Sequence, residues 1–247
     1  MVEEEEVLHV DMKDKAVCES DVMSMSPCCS DPPPPFRVEP DGARWLRPGL
    51  RKYSCELTID TNTVNKQLKL SDNNRKVTCG KDQSYPDHRD RFDIWPQLLC
   101  RTGLTGRCYW EVEWRGDVHV SVSYRGIRRK GDSDCLFGYN DQSWSLRCYD
   151  GGYSVCHNNT RTHITSSSSF SPSGRVAVYV DCPAGSLSFY RLSSDTLIHL
   201  HTFSTTFTEP LYPGFWFWFY PGSSVSLCPL QEGESPPGGE PSSLLTT

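Results

Sequence analysis

No stretch of the 247 residues approaches the ~18 consecutive apolar residues that a membrane-spanning helix requires. No Gly-x-Ser-x-Gly elbow, P-loop or dinucleotide fingerprint is present, which leaves acyl-transfer and phosphate chemistry without their usual cradles. No Cys-x-x-Cys pair occurs, and the adjacent Cys28 and Cys29 cannot present two tetrahedral ligands in a knuckle, so no metal and no cofactor are expected. Positive charge is in deficit: 25 Lys and Arg stand against 31 Asp and Glu, a net charge of −6, which gives no electrostatic footprint for nucleic acid. Hydrophobic residues are few, at 36%, so part of the chain is expected to lie outside any core. The opening MVEEEEVLHV lacks a basic region followed by an apolar one, so no signal peptide is expected. The twelve cysteines sit largely in strand-like text, where reduced thiols behave as small hydrophobes, and a cytoplasmic location with reduced thiols is the expectation.

What is present is alternation. In Gly106–Trp114 (GRCYWEVEW), Trp110, Val112 and Trp114 fall on one face and Tyr109, Glu111 and Glu113 on the other, a strand with one dry and one wet side. Val118, Val120, Val122 and Tyr124 repeat the pattern against His119, Ser121 and Ser123, and Val176, Val178 and Val180 do so again. Asp181–Gly185 suits a tight reversal between two such runs. No capped window of helical period stands out. Short strands separated by turn-rich text predict an all-β fold, a β-sandwich. Residues 1–35, with Glu3–Glu6 and the run Asp31–Pro35 (DPPPP), read as a disordered acidic and proline-rich tail. Residues 36–52 read as a lead-in that packs on the domain, with Trp45 and Leu46 to bury. From Gln231 to the end, 231–247, a second disordered tail is expected.

The runs YPDHRDRFD (Tyr85–Asp93), GRCYWEVEW, FGYNDQSWSL (Phe137–Leu146), VYVDCPAGSLSFY (Val178–Tyr190) and FTEPLYPGF (Phe207–Phe215) follow one another in an order that resembles the PRY–SPRY (B30.2-type) domain, in particular its fish-rich branch. That branch includes tripartite-motif ubiquitin ligases, nucleotide-binding leucine-rich-repeat receptors and stonefish-type toxin subunits. The resemblance implies a bent antiparallel β-sandwich over 53–230, with PRY at about 55–78 and SPRY at about 100–230. Within PRY, Leu57, Ile59, Leu68 and Leu70 supply the apolar face and Asp72–Asn74 a turn. Departures are Cys156 and Cys182 where members often carry an aromatic residue, and Gly116-Asp117 where many carry a tryptophan.

Chemistry is sparse in the strands themselves. Glu111 and Glu113 are spaced like a glycosidase pair but read more simply as a solvent-facing stripe. His199 and His201 share a strand face without a third ligand nearby in sequence, and Arg125–Lys130 (RGIRRK) reads as a solvated loop. No enzymatic activity is expected. The resemblance implies instead a protein-recognition module, monomeric and binding a protein ligand rather than nucleic acid or membrane, in cytosolic innate immune sensing or ubiquitin-ligase-type pathways. A secreted lectin-like or stonustoxin-type toxin subunit is the alternative. By matching family positions, the strand after Trp144 contributes Arg147 and Tyr149, the late aromatic run Phe215–Tyr220 contributes Phe215, Trp216 and Trp218, and the loop Tyr124–Arg129 contributes Arg128. Antibody-binding members carry tryptophans at the first two positions, so antibody binding is not expected here. Within the aromatic run, strict alternation buries one set of three and leaves the other exposed or covered by another segment, such as Phe36–Leu50.

Overall fold

The computed structural model describes residues 44–131, 133–164 and 174–229. The expected tails at 1–35 and 231–247 and the side chains of Trp45 and Leu46 lie outside the described residues. Fourteen strands form two antiparallel sheets. One contains β1 (Arg44–Leu46), β12 (Thr196–Ser204), β11 (Ser186–Ser193), β10 (Arg175–Asp181), β5 (Arg107–Arg115), β14 (Ser224–Leu227), β3 (Lys76–Cys79) and β2 (Leu68–Ser71), in that spatial order. The other runs β4 (Gln97–Leu99), β13 (Leu211–Phe217), β6 (Val118–Tyr124), β7 (Ser143–Tyr149), β8 (Gly152–His157) and β9 (Thr160–Ile164). The one α-helix among the described residues, α1 (Arg47–Arg51), is a single short turn after β1. No helix among the described residues is long and apolar enough to cross a membrane.

The alternation in the sequence places the core between the sheets. Trp110, Val112 and Trp114 of β5, Val118, Val120 and Val122 of β6, and Val176, Val178 and Val180 of β10 pack into one buried cluster with Leu57, Ile59, Leu68, Phe215 and Phe217. Turn chemistry fixes the hairpins. Asp72, Asn73 and Asn74 take positive φ between β2 and β3, and Asn158 and Asn159 do so between β8 and β9, a conformation that Asn and Asp tolerate best after glycine. Gly116, at φ +77 between β5 and β6, has no room for a Cβ beside Ser223.

Two outer faces depart from the expected pattern. Tyr109 and Glu111 are buried rather than wet. Leu50 and Tyr53 pack beside Tyr109, Tyr190, Leu192 and Leu197 on this face of the eight-stranded sheet. The Tyr109 hydroxyl donates to Glu111 at 2.8 Å and Arg51 Nε lies 3.7 Å from the same carboxylate, so the predicted solvent stripe is reduced to Glu113. On the six-stranded sheet, His119, Ser121 and Ser123 are buried although they point away from the core. Phe92, Ile127, Leu136 and Phe137 form a second apolar layer there, around Leu99 and Trp216.

Most of the cysteines were expected to be reduced thiols. Cys55 and Cys108 are the exception among the described residues: they form a disulfide, with Cα atoms 5.6 Å apart. The backbone brings them together: Tyr109 N donates to Tyr53 O and Cys55 N to Tyr109 O, so the chain entering PRY runs alongside β5. Cys79, Cys100, Cys148, Cys156 and Cys182 are free thiols. The bond closes a separation of 53 residues. Cys55→Ser is therefore expected to cost about 2–4 kcal/mol under oxidising conditions and much less with reductant, read as paired thermal melts. Equal melting of parent and variant without reductant would show that the bond contributes nothing.

Candidate functional site

The large hydrophobic side chains that stay exposed among the described residues are Ile94 (48%), Phe219 (48%) and Tyr220 (61%). All three lie in segments joined by ring contacts. Phe219 and Tyr220 follow β13 directly, and Phe219 lies 5.9 Å from Trp95, the neighbour of Ile94. Trp95 meets Trp216 edge-on at 6.4 Å, and Trp216 meets Trp218 at 5.1 Å. The Arg147 guanidinium lies over Trp218 at 5.7 Å and over Tyr149 at 4.7 Å. Two loops and the end of β7 thus build a single aromatic surface on the outer side of the six-stranded sheet.

Arg147 is held in place from one side. Its Nε and Nη2 donate to Asp117 Oδ1 and Oδ2 at 2.9 and 2.5 Å. This paired hydrogen bond pushes the guanidinium pKa further up despite partial burial. Asp117, just before β6, is thus a charged brace for the guanidinium. The brace leaves the guanidinium face free to stack, and the pair carries no net charge.

Beneath this surface lies a buried polar row. Ser121 Oγ donates to Ser145 Oγ at 2.9 Å, and Ser145 Oγ lies 3.0 Å from His119 Nδ1. The His119 ring packs on Trp216 at 3.8 Å. Burial, with Arg147 and Arg161 nearby, holds the imidazole pKa well below its ordinary value. The unfolded chain therefore takes up a proton near pH 6.5 and below, where the folded protein does not. Stability is undiminished above that pH and falls as pH drops beneath it. Denaturant melts at pH 7.5 and pH 5 should show this loss, and His119→Gln should lessen it; an unchanged pH dependence in the variant would remove His119 as the cause.

The site residues read from the sequence divide. Arg147, Tyr149 and Trp218 are brought together. Trp216 touches Trp218 but is fully buried, capped by Trp95, Tyr139 and Trp218, and so is the floor of the surface and not part of its face. Phe215 is fully buried in the main core and has no part in the surface, because its side chain takes the opposite face of β13. Among the described residues, Phe92, Trp95, Ile127, Leu136, Phe137 and Tyr139 pack around Trp216, while most of Phe36–Leu50 lies outside the described residues. Arg128 is exposed and pairs with Asp134 at 3.3 Å, away from these contacts. Sequence reasoning passed over Ile94 and Trp95, where an apolar pair before Pro96 in an otherwise polar loop was the available signal, and it left Phe219 and Tyr220 out of the site.

Other chemistry is structural. Among the described residues, no group of three or more His, Cys, Asp or Glu is placed to hold a metal ion. His201 packs on Phe203 at 4.5 Å, and His199 Nε2 lies 2.7 Å from Thr202 Oγ1. A cleft of about 310 Å³ lies at the opposite side of β5, lined by Leu57, Arg75, Trp110, Glu111 and Leu227 among others.

Comparison with known proteins gives the family of the chain. The model of PRY, the SPRY-associated domain, matches residues 57–104, and the SPRY domain model matches 107–229. Stonustoxin subunit beta of Synanceia horrida is 44% identical over 169 residues, covering 67% of this chain and 24% of the toxin subunit. Tripartite motif-containing protein 16 of Mus musculus is 36% identical over 171 residues, covering 67% of this chain and 30% of that protein. Among solved structures, that of stonustoxin superposes with a TM-score of 0.70 at 39% identity, covering 79% of this chain and 32% of that one. The crystal structure of the TRIM65 PSpry domain gives 0.65 at 27% identity, covering 80% and 99%. The chain spans about a quarter of the length of the toxin subunits it matches.

Proposed function

Since the chain belongs to the PRY–SPRY family, whose SPRY domain commonly serves as a protein-interaction module in tripartite-motif proteins, we propose that it recognises a protein ligand through the aromatic surface of Trp95, Trp218, Phe219 and Tyr220 with Arg147 and Tyr149. The observation that carries this reading is the gathering of the exposed large apolar side chains of the described residues into one place. Isolated exposed apolar residues are ordinary, whereas a contiguous aromatic patch beside an oriented arginine is the composition of an interface centre. The rings offer rigid area that costs little entropy to order, and Asp117 pre-sets the guanidinium. The module acts by binding and has no catalytic role of its own. A cytoplasmic setting, in innate immune sensing or as the target-reading part of a ligase-type assembly, fits the tripartite-motif relatives.

A second reading, a recognition domain within a secreted toxin-type subunit, is favoured by the 44% identity to stonustoxin beta and by the Cys55–Cys108 bond. Both readings use the same face and differ in compartment and partner. The test is an alanine series against a partner captured with the intact chain and then purified. Trp218→Ala and Phe219→Ala should each weaken binding by about 2 kcal/mol or more while shifting stability by less than about 1.5 kcal/mol. Unchanged affinity in both variants would place the ligand elsewhere.

A further inference from the structure

The Cys55–Cys108 bond is unequal at its two ends. Cys108 is 2% exposed and belongs to the main core, whereas Cys55 is half-buried and lines the cleft of about 310 Å³ on the eight-stranded sheet. The cleft exists because β5 changes neighbours there. One edge of β5 is taken by β10 throughout. On the other, Leu227 at the end of β14 pairs with Val112 and Cys228 N donates to Glu111 O, while two residues back Cys55 N donates to Tyr109 O. The cleft opens where one flanking segment hands over to the other. Its volume is at the lower end of the range for small-molecule sites, about 300–1,000 Å³.

The wall opposite carries a guanidinium. Arg75 Nη2 donates to Leu227 O at 3.4 Å, and Nη1 lies 3.6 Å from the carboxylate of Glu56, which is exposed. A pair so open to water is weak, so another carboxylate can displace Glu56 from Arg75. Glu111, the second acid of the cleft, is buried beside Arg51 and accepts from the Tyr109 hydroxyl. A disulfide is an electrophile at either sulfur, and access decides which is attacked. The free thiols of the core do not compete as nucleophiles: burial pushes Cys100 up to about 12 and Cys148 well above the ordinary thiol value.

We propose that Cys55 is the site of thiol–disulfide exchange with a small carboxylate-bearing thiol of the glutathione class, received by the cleft and held by Arg75. The incoming thiolate forms a bond to Cys55 Sγ, the Cys55–Cys108 bond breaks, and its electron pair leaves on Cys108 Sγ, which then takes a proton from water. A second small thiolate attacks the outer sulfur of the adduct, releasing the Cys55 thiolate and the oxidised small disulfide. The net change is two small thiols oxidised and the protein bond reduced to two thiols. Charge on the leaving sulfur forms among apolar side chains, which makes the first step slow. The pair thereby records the thiol content of its compartment, closed where oxidants dominate and opened through Cys55 where small thiols abound. This site is independent of the aromatic surface.

The experiment exposes the full chain, prepared without reductant, to reduced glutathione at neutral pH. Samples are quenched with acid at intervals and every cysteine peptide is mapped by mass spectrometry. The first adduct should appear on Cys55, in about tenfold or greater excess over Cys108. An adduct first on Cys108 or on Cys228, equal adducts on both ends of the bond, or a bond that opens only in denaturant would each overturn the proposal. Cys108→Ser removes the thiol that would expel the adduct. In that variant oxidised glutathione should modify Cys55 about tenfold or more faster than it modifies Cys108 in Cys55→Ser, and equal rates would overturn the proposal. Circular dichroism checks both folds first, and if either variant is unfolded the time course of the parent decides alone. Arg75→Ala in the Cys108→Ser chain should slow modification by oxidised glutathione several-fold and leave modification by neutral 2-hydroxyethyl disulfide unchanged. Equal effects on the two reagents would remove the cleft as a binding site.

Discussion

Trp110→Ala lowers the unfolding free energy by about 3–5 kcal/mol, the range for removing a buried large aromatic side chain. Trp110 is among the largest fully enclosed side chains, in the middle of β5. That strand is hydrogen-bonded to β10 on one side and β14 on the other. The cavity left behind would be walled by strands that cannot close in without breaking their ladders, so little relaxation is available to soften the loss. For a domain of this size the change corresponds to roughly 6–20 °C in melting temperature. A variant melting within a few degrees of the parent would contradict the position of the core.

Trp216→Ala is expected to cost a similar ~3–5 kcal/mol, although it sits in the run that also carries the recognition surface. Its ring is fully buried, with His119 on one side and Tyr139, Trp95 and Trp218 around it. Removing it takes away the support of two surface rings at once, so binding should fall even at temperatures where the fold is intact. Trp218→Ala, by contrast, removes a ring only partly buried against that layer and should change melting less. If Trp216→Ala and Trp218→Ala lose equal stability, the division into floor and face is wrong. Paired thermal melts of the two variants decide it.

The inward faces of the strands were legible because a period of two needs no partner to be read: Trp110, Val112 and Trp114 declare their side whatever lies opposite. The outward faces were not. Tyr109 and Glu111 alternate like a wet stripe, yet Leu50 and Tyr53, far away in sequence, lie across them. Trp216 alternates like an exposed residue, yet Trp95 and Tyr139 arrive from two separate loops to cover it. Burial of an outer face is decided by long-range loop packing, which leaves no periodic trace. The same limit explains the site. Arg147, Tyr149 and Trp218 could be placed by resemblance, whereas Asp117 as their brace and Ile94 and Trp95 as their neighbours required the chain to be folded. The Cys55–Cys108 bond escaped notice for a related reason, since nothing local in either segment marks the parallel run of residues 53–55 beside Tyr109.

Hydrogen–deuterium exchange of the intact chain, with and without its purified partner, tests the recognition face most directly. Protection is expected in the segments 93–97, 116–119, 147–150 and 216–221, which converge on the aromatic surface, with little change along β2, β3 and β14. Protection centred instead on the cleft between Leu57 and Leu227, with the aromatic segments exchanging as freely as before, would contradict it.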